Sequence, residues 1–223
     1  MSDDSFFREV DEELRSDKVQ DFWKSYGKIL IAAAVAFVVA IAGWRYYEFS
    51  TDKQSAEAGD AFMAAVRLSA EDKSDEALVA LQKIEGQSTG AYRTLAQLRT
   101  AAEQVEKGDK ENAIKTYDSV IASDADENLK AIARIRAGLV LVDTAGVTEV
   151  QARVGALAAP GGPWRSSARE ALGLAYFKAG DLDEAFKQFE AVLDDGDSPR
   201  SIKQRMRIML DLIASQGGPV KPA

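Results

Sequence analysis

Residues 166–199 read SSAREALGLAYFKAGDLDEAFKQFEAVLDDGDSP. Two runs of helical periodicity flank Gly180-Asp181, which predicts an antiparallel pair, helix A and then helix B. Gly180 supplies the left-handed conformation that ends helix A. Small Gly173 and Ala185 let the two helices approach, while Tyr176 and Phe189 fill the space beside them. The arrangement recurs upstream, where Ala101, Gly108-Asp109, Ala113, Tyr117 and Val120 occupy equivalent places. Further out, Ala77 with Leu81 and Ile84, and Val150 with Val154 and Leu157, fit helix B of two more units. The equivalent positions 77, 113, 150 and 185 are separated by 36, 37 and 35 residues. Steps this regular mark a repeat, in which each unit buries its apolar face on the next. Pro160-Gly161-Gly162-Pro163 falls where the third unit should end. Ile202, Met206, Met209 and Ile213 line one face of a final helix, expected to cap the stack. Residues 217–223, rich in Gly and Pro, read as a flexible tail.

The unit resembles the tetratricopeptide repeat, with Leu172-Gly173, Tyr176, Gly180-Asp181, Ala185, Phe189 and Val192 in its pattern and Arg169 where that pattern has Trp. The resemblance implies that helix A side chains line a concave groove. Transferring the register places Leu95, Leu98, Ala102 and Val105 there from the second unit. The third contributes Ile132, Ile135, Leu139 and Val142, and the fourth Leu174 and Phe177. One expectation is a groove for a partner's apolar helix or an unfolded segment. The competing one is that curvature or the terminal helix buries these residues as core.

A second feature lies outside the repeats. Ile29 to Trp44 runs 16 residues without a charge. Its eight large aliphatic and aromatic residues favour insertion into a bilayer by about 2–5 kcal/mol. Trp23, Tyr26, Trp44, Tyr46 and Tyr47 form belts at both ends, and Lys28 and Arg45 extend the span by snorkelling. Residues 29–47 are therefore expected to be a transmembrane anchor. Arg15, Lys18, Lys24 and Lys28 precede it and only Arg45 and Lys53 follow closely, which places residues 1–28 in the cytoplasm and 48–216 across the membrane. Ala40-Ile41-Ala42 has the small-x-small form of a cleavage site, but bulky residues follow it, so an uncleaved anchor is expected. Ala32, Ala36, Ala40 and Gly43 recur at three- and four-residue steps, a face that would admit a second membrane helix closely. Before the span, Phe6, Phe7, Val10, Leu14 and Phe22 have near-helical spacing, with Ser5 a candidate N-cap.

Composition narrows the chemistry. The 223 residues include no Cys and no His, with 28 basic and 36 acidic side chains for a net charge of −8. The usual zinc, haem and iron–sulfur sites and any His-dependent nucleophile are excluded. The acidic balance argues against nucleic acid. Asp194-Asp195-Gly196-Asp197 and Asp124-Ala125-Asp126-Glu127-Asn128 invite a calcium reading but lack the twelve-residue loop with its terminal Glu, so both are expected to be connectors. No catalytic residue, cofactor or metal is expected.

The fold class is thus all-α, a single N-terminal transmembrane helix followed by a tetratricopeptide-repeat-like α-solenoid. Phe22-Trp23-Lys24-Ser25-Tyr26-Gly27-Lys28, the span ending Gly43-Trp44-Arg45-Tyr46-Tyr47, and the repeats behind it together resemble the bacterial ancillary SecYEG translocon subunit family. That resemblance implies a non-enzymatic inner-membrane protein with a periplasmic repeat domain. It also implies as partners the translocon, a membrane-anchored periplasmic chaperone of the prolyl-isomerase type, and exported chains. A membrane-anchored scaffold for envelope or division machinery, and a regulator acting through the cytosolic segment, are the alternatives.

Overall fold

The computed structural model describes residues 3–88 and 90–220, with side chains described from Tyr26 onward except Leu30 and Ala34. The side chains of Phe6, Phe7, Val10, Leu14, Phe22 and Trp23 lie outside the described residues, as do residues 221–223. The elements are all helical: α1 (Asp3–Ala70), α2 (Ser74–Gln87), α3 (Ala91–Glu106), α4 (Lys110–Ala122), α5 (Glu127–Thr144), α6 (Val147–Val154), α7 (Arg165–Lys178), α8 (Leu182–Asp194) and α9 (Arg200–Ser215), with a short 3-10 turn after α6. The chain divides into two units, residues 1–56 and 57–223.

In the first unit, α1 is long and apolar enough to cross a membrane. Its aliphatic residues stay out of any protein core, Val38 being 62% exposed and Phe37 67%. Residues 48–56, expected to begin the repeat domain, group with this unit. All but half-buried Ser50 are exposed.

The second unit is the repeat array. The helix B positions Ala77, Ala113, Val150 and Ala185 are all fully buried. Facing them on helix A stand Ala65, Ala101, Gly138 and Gly173, separated by the same 36, 37 and 35 residues. Close approach requires the small residues. A Cβ on Gly173 would lie 2.3 Å from the Phe189 ring, and one on Gly138 would lie 2.6 Å from Val154. The first repeat therefore has a helix A after all, the last turns of α1, where Ala65 packs with Leu81, Ile84 and Ala96.

Local chemistry sets the turns. Gly108 and Gly180 have φ of 81° and 80°, and the N–H of the Asp that follows each reaches back to Gln104 and Tyr176 respectively, closing helix A. Asp109 and Asp181 then cap helix B by accepting from Asn112 N–H and Glu184 N–H. The first repeat forms the same turn with Asp72 at φ 59°, and Lys73 N–H bonds Leu68 O. An L side chain is disfavoured there. Asp72→Gly is accordingly expected to stabilise the domain by up to about 1 kcal/mol, read as a higher urea midpoint.

At the other end α9 packs through Ile202, Met206 and Ile213 onto the α8 core. Ile208, which stands 35 residues after Gly173, is bulky where the preceding units have Ala or Gly, and it is 61% exposed. A further helix B could not approach as closely as in the preceding units, and α9 closes the array.

Candidate functional site

Which face of the array is available follows from how its helices touch. The A helices pack on one another in series, α3 on α5, α5 on α7 and α7 on α9, whereas the B helices share no comparable contact. The array therefore curves with helices A inside, and the inner face is the concave surface such repeats use for binding.

The structure distributes the ten apolar residues placed there by register, Ala102 among them being half-buried. Leu98 is 5% exposed and Ile135 7%, both in the core. Leu98 sits in the α3–α4–α5 cluster, against which Val105 and Ile132 pack half-buried. The reason is the A-to-A packing itself, since each inner helix covers part of its neighbour. Val142 joins the α5–α6–α7 cluster, and Leu174 and Phe177 pack under α8 and α9. Leu95 is half-buried. Leu139, 37% exposed, presents the most open apolar surface of the set. What remains is a partly open apolar strip rather than a deep groove. On α1, Ala32, Ala36, Ala40 and Gly43 share one exposed face.

The polar groups between repeats were not foreseen from sequence. Glu103 is fully buried on α3 and accepts from the Ser69 hydroxyl of α1. Arg99 lies 2.5 Å from the same carboxylate oxygen, Oε1, while Oε2 has no hydrogen-bond partner. The pair lies within α3, and the hydrogen bonds of Ser69 to both its members register the end of α1 against the second repeat. Removing one member of such a pair leaves an uncompensated buried charge, which makes it a fixed joint. At the last interface Arg205 of α9 grips Glu170 of α7 through two bonds of 2.6 and 2.8 Å. Burial pushes the Tyr117 phenol up, while the Arg136 guanidinium hydrogen-bonded to it pulls the other way.

Both acidic runs serve the fold. Asp126 caps α5 by accepting from Asn128 N–H. Asp195 receives both Arg165 Nε and Nη2, and Arg165 also binds Asp197 and the Gly162 carbonyl, pinning the Pro-Gly connector to the α8–α9 turn. The Arg165 guanidinium, helped by the Asp197 N–H, lowers the Asp195 carboxyl from 3.8 to about 2. A depressed carboxyl contributes stability that is present above its unfolded value and lost as pH falls through the folded one. The urea midpoint is therefore expected to decline as pH drops from about 4 towards 2, and Asp195→Asn to flatten that decline. Among the described residues no group of acidic side chains is arranged to hold a metal.

The repeat geometry finds its counterpart among known proteins, since the model of the "Tetratricopeptide repeat-like domain" family matches residues 20–215. The chain belongs to that family. It is 26% identical over 195 residues to a protein of Escherichia coli (strain K12) named "Ancillary SecYEG translocon subunit", covering 87% of this chain and 93% of that protein. A Haemophilus influenzae protein of the same name is 27% identical over 127 residues, covering 57% and 62%. Among solved structures, "MamA RS-1 ArsTM double mutant" superposes with a TM-score of 0.51 at 19% identity, over 71% of this chain and 89% of that one. That likeness speaks to the fold. This tetratricopeptide repeat-like chain is all-α among its described residues, and neither its family nor the names of these relatives denote an enzyme.

Proposed function

We propose that this chain is a non-enzymatic accessory of the Sec translocon in the bacterial inner membrane. Its N-terminus is cytoplasmic and its repeats are periplasmic, binding a chaperone of the prolyl-isomerase type, exported chains, or both. One observation carries the reading: a tetratricopeptide repeat-like chain that also has a helix long and apolar enough to cross a membrane is similar over 87% of its length to a translocon subunit. A span in the same chain tethers the repeats to the membrane that an exported chain crosses. The charge bias around residues 29–47 supports the orientation. The inner strip around Leu139 supports binding of apolar segments, and the small face Ala32, Ala36, Ala40 and Gly43 is the proposed contact with a partner membrane helix.

The test is crosslinking in cells followed by isolation in mild detergent. Translocon subunits and a periplasmic chaperone are expected to co-purify with the full chain, and deletion of residues 1–20 to leave that association intact. Recovery of neither partner overturns the proposal. Loss of both on deleting residues 1–20 would move the function to the cytosolic segment.

A further inference from the structure

Two arginines stand at one register of helix A, Arg99 on α3 and Arg136 on α5, 37 residues apart. Their surroundings differ. Arg99 meets the carboxylate of Glu103 one turn later and bonds Ser69 on the preceding inner helix. The same repeat steps turn Glu103 into Val140 and Ser69 into Val105. Val140 is buried, and Val105 is half-buried in the α3–α5 cluster. Arg136 thus keeps the cation and loses both groups that answer it. It lies near the neutral Tyr117 phenol, and it is exposed. One turn further along α5 is Leu139, the most open apolar residue of the inner strip. An apolar strip with a guanidinium that meets no carboxylate among the described residues matches an apolar segment carrying an acid.

Resting on the inner-face reading above, we propose that the α3–α5 seam recognises an apolar helical segment bearing an internal Asp or Glu, with Arg136 reading the carboxylate and Leu139 the apolar side. The planar guanidinium suits a carboxylate held in two bonds. The flanking valines exclude water from one side of the pair. This sets the site apart from a general holder of unfolded chain, which would accept apolar segments without regard to charge.

The experiment uses the full chain in detergent micelles and capped, fluorescent Ala/Leu helical peptides of roughly 15 residues. One carries a single central Glu, its twin carries Gln, and a third has the Gln interior with a free C-terminal carboxylate. At low salt the Glu peptide is expected to bind about fivefold tighter than the Gln peptide. Arg136→Gln should erase that difference while the neutral peptide still binds, and Arg136→Glu should reverse it. Circular dichroism confirms that these surface variants remain folded. Equal binding of the Glu and Gln peptides to the wild type overturns the proposal, as does a preference that survives in Arg136→Gln. Binding of the free-carboxylate peptide as tight as that of the Glu peptide overturns the assignment to an internal acid. If no peptide binds at all, the inner-face reading itself falls, an outcome distinct from the others.

Discussion

Leu98→Asp is expected to unfold the centre of the array, at a cost above about 4 kcal/mol, whereas Leu139→Asp should leave the fold intact. The two leucines occupy inner helices of adjacent repeats at related registers, yet their surroundings are opposite. Leu98 is 5% exposed and packs with Ala101, Tyr117 and Ala133. An Asp there gives up the transfer energy of the leucine and brings a carboxylate into a buried apolar cluster. Leu139 already meets solvent, so the same change removes apolar surface from the strip and costs little stability. Urea unfolding followed by circular dichroism separates the two, with Leu98→Asp already disordered in buffer and Leu139→Asp near the wild-type midpoint. A folded Leu98→Asp would mean that α3 does not pack against α5 as described.

Phe189→Ala carries the second large effect, a loss of about 3–5 kcal/mol. Phe189 is fully buried, and its ring occupies the space that the missing Cβ of Gly173 leaves open. Deleting the ring opens a cavity between α7 and α8 and weakens the seat of α9, since Ile202 and Met206 share that cluster. From the other side, Gly173→Ala should also destabilise, by about 1–2 kcal/mol, because overpacking against a buried ring outweighs the gain in helix propensity. Combining Gly173→Ala with Phe189→Leu should cost less than the sum of the single changes, the mark of two groups sharing one space. Strict additivity in that cycle would contradict the A-to-B contact.

How far the sequence discloses this architecture can be judged residue by residue. The 36, 37 and 35 steps were legible because helix B keeps an apolar pair four residues apart in every repeat, from Ala77 with Leu81 to Ala185 with Phe189, Val150 with Val154 being the one pair without a small first member. The first helix A was not legible. It has no boundary of its own, being the end of α1, and its turn uses Asp72 where the other clear units have Gly. The inner face was half legible. Register alone placed ten residues on it but could not say that α5 would cover Leu98, because that depends on how closely neighbouring inner helices pack. Glu103 gave no signal among 36 acidic residues, and its partner Ser69 lies in a helix that the pattern had not assigned to a repeat. The Asp194–Asp197 run could be read as a connector, but its grip on Arg165 required the fold.

In the proposed function the inner face meets exported chains or their chaperone, and site-specific photo-crosslinking in cells reads that contact directly. A photoreactive residue replaces Leu139 on the inner helix α5 or, as the control, Val79 on helix B of the first repeat, which is 69% exposed. With an exported polypeptide arrested in transit, the Leu139 position is expected to form adducts with that chain or with a periplasmic chaperone, and the Val79 position to form few. Adducts equally abundant from both positions, or adducts from Leu139 with cytoplasmic proteins alone, would contradict it.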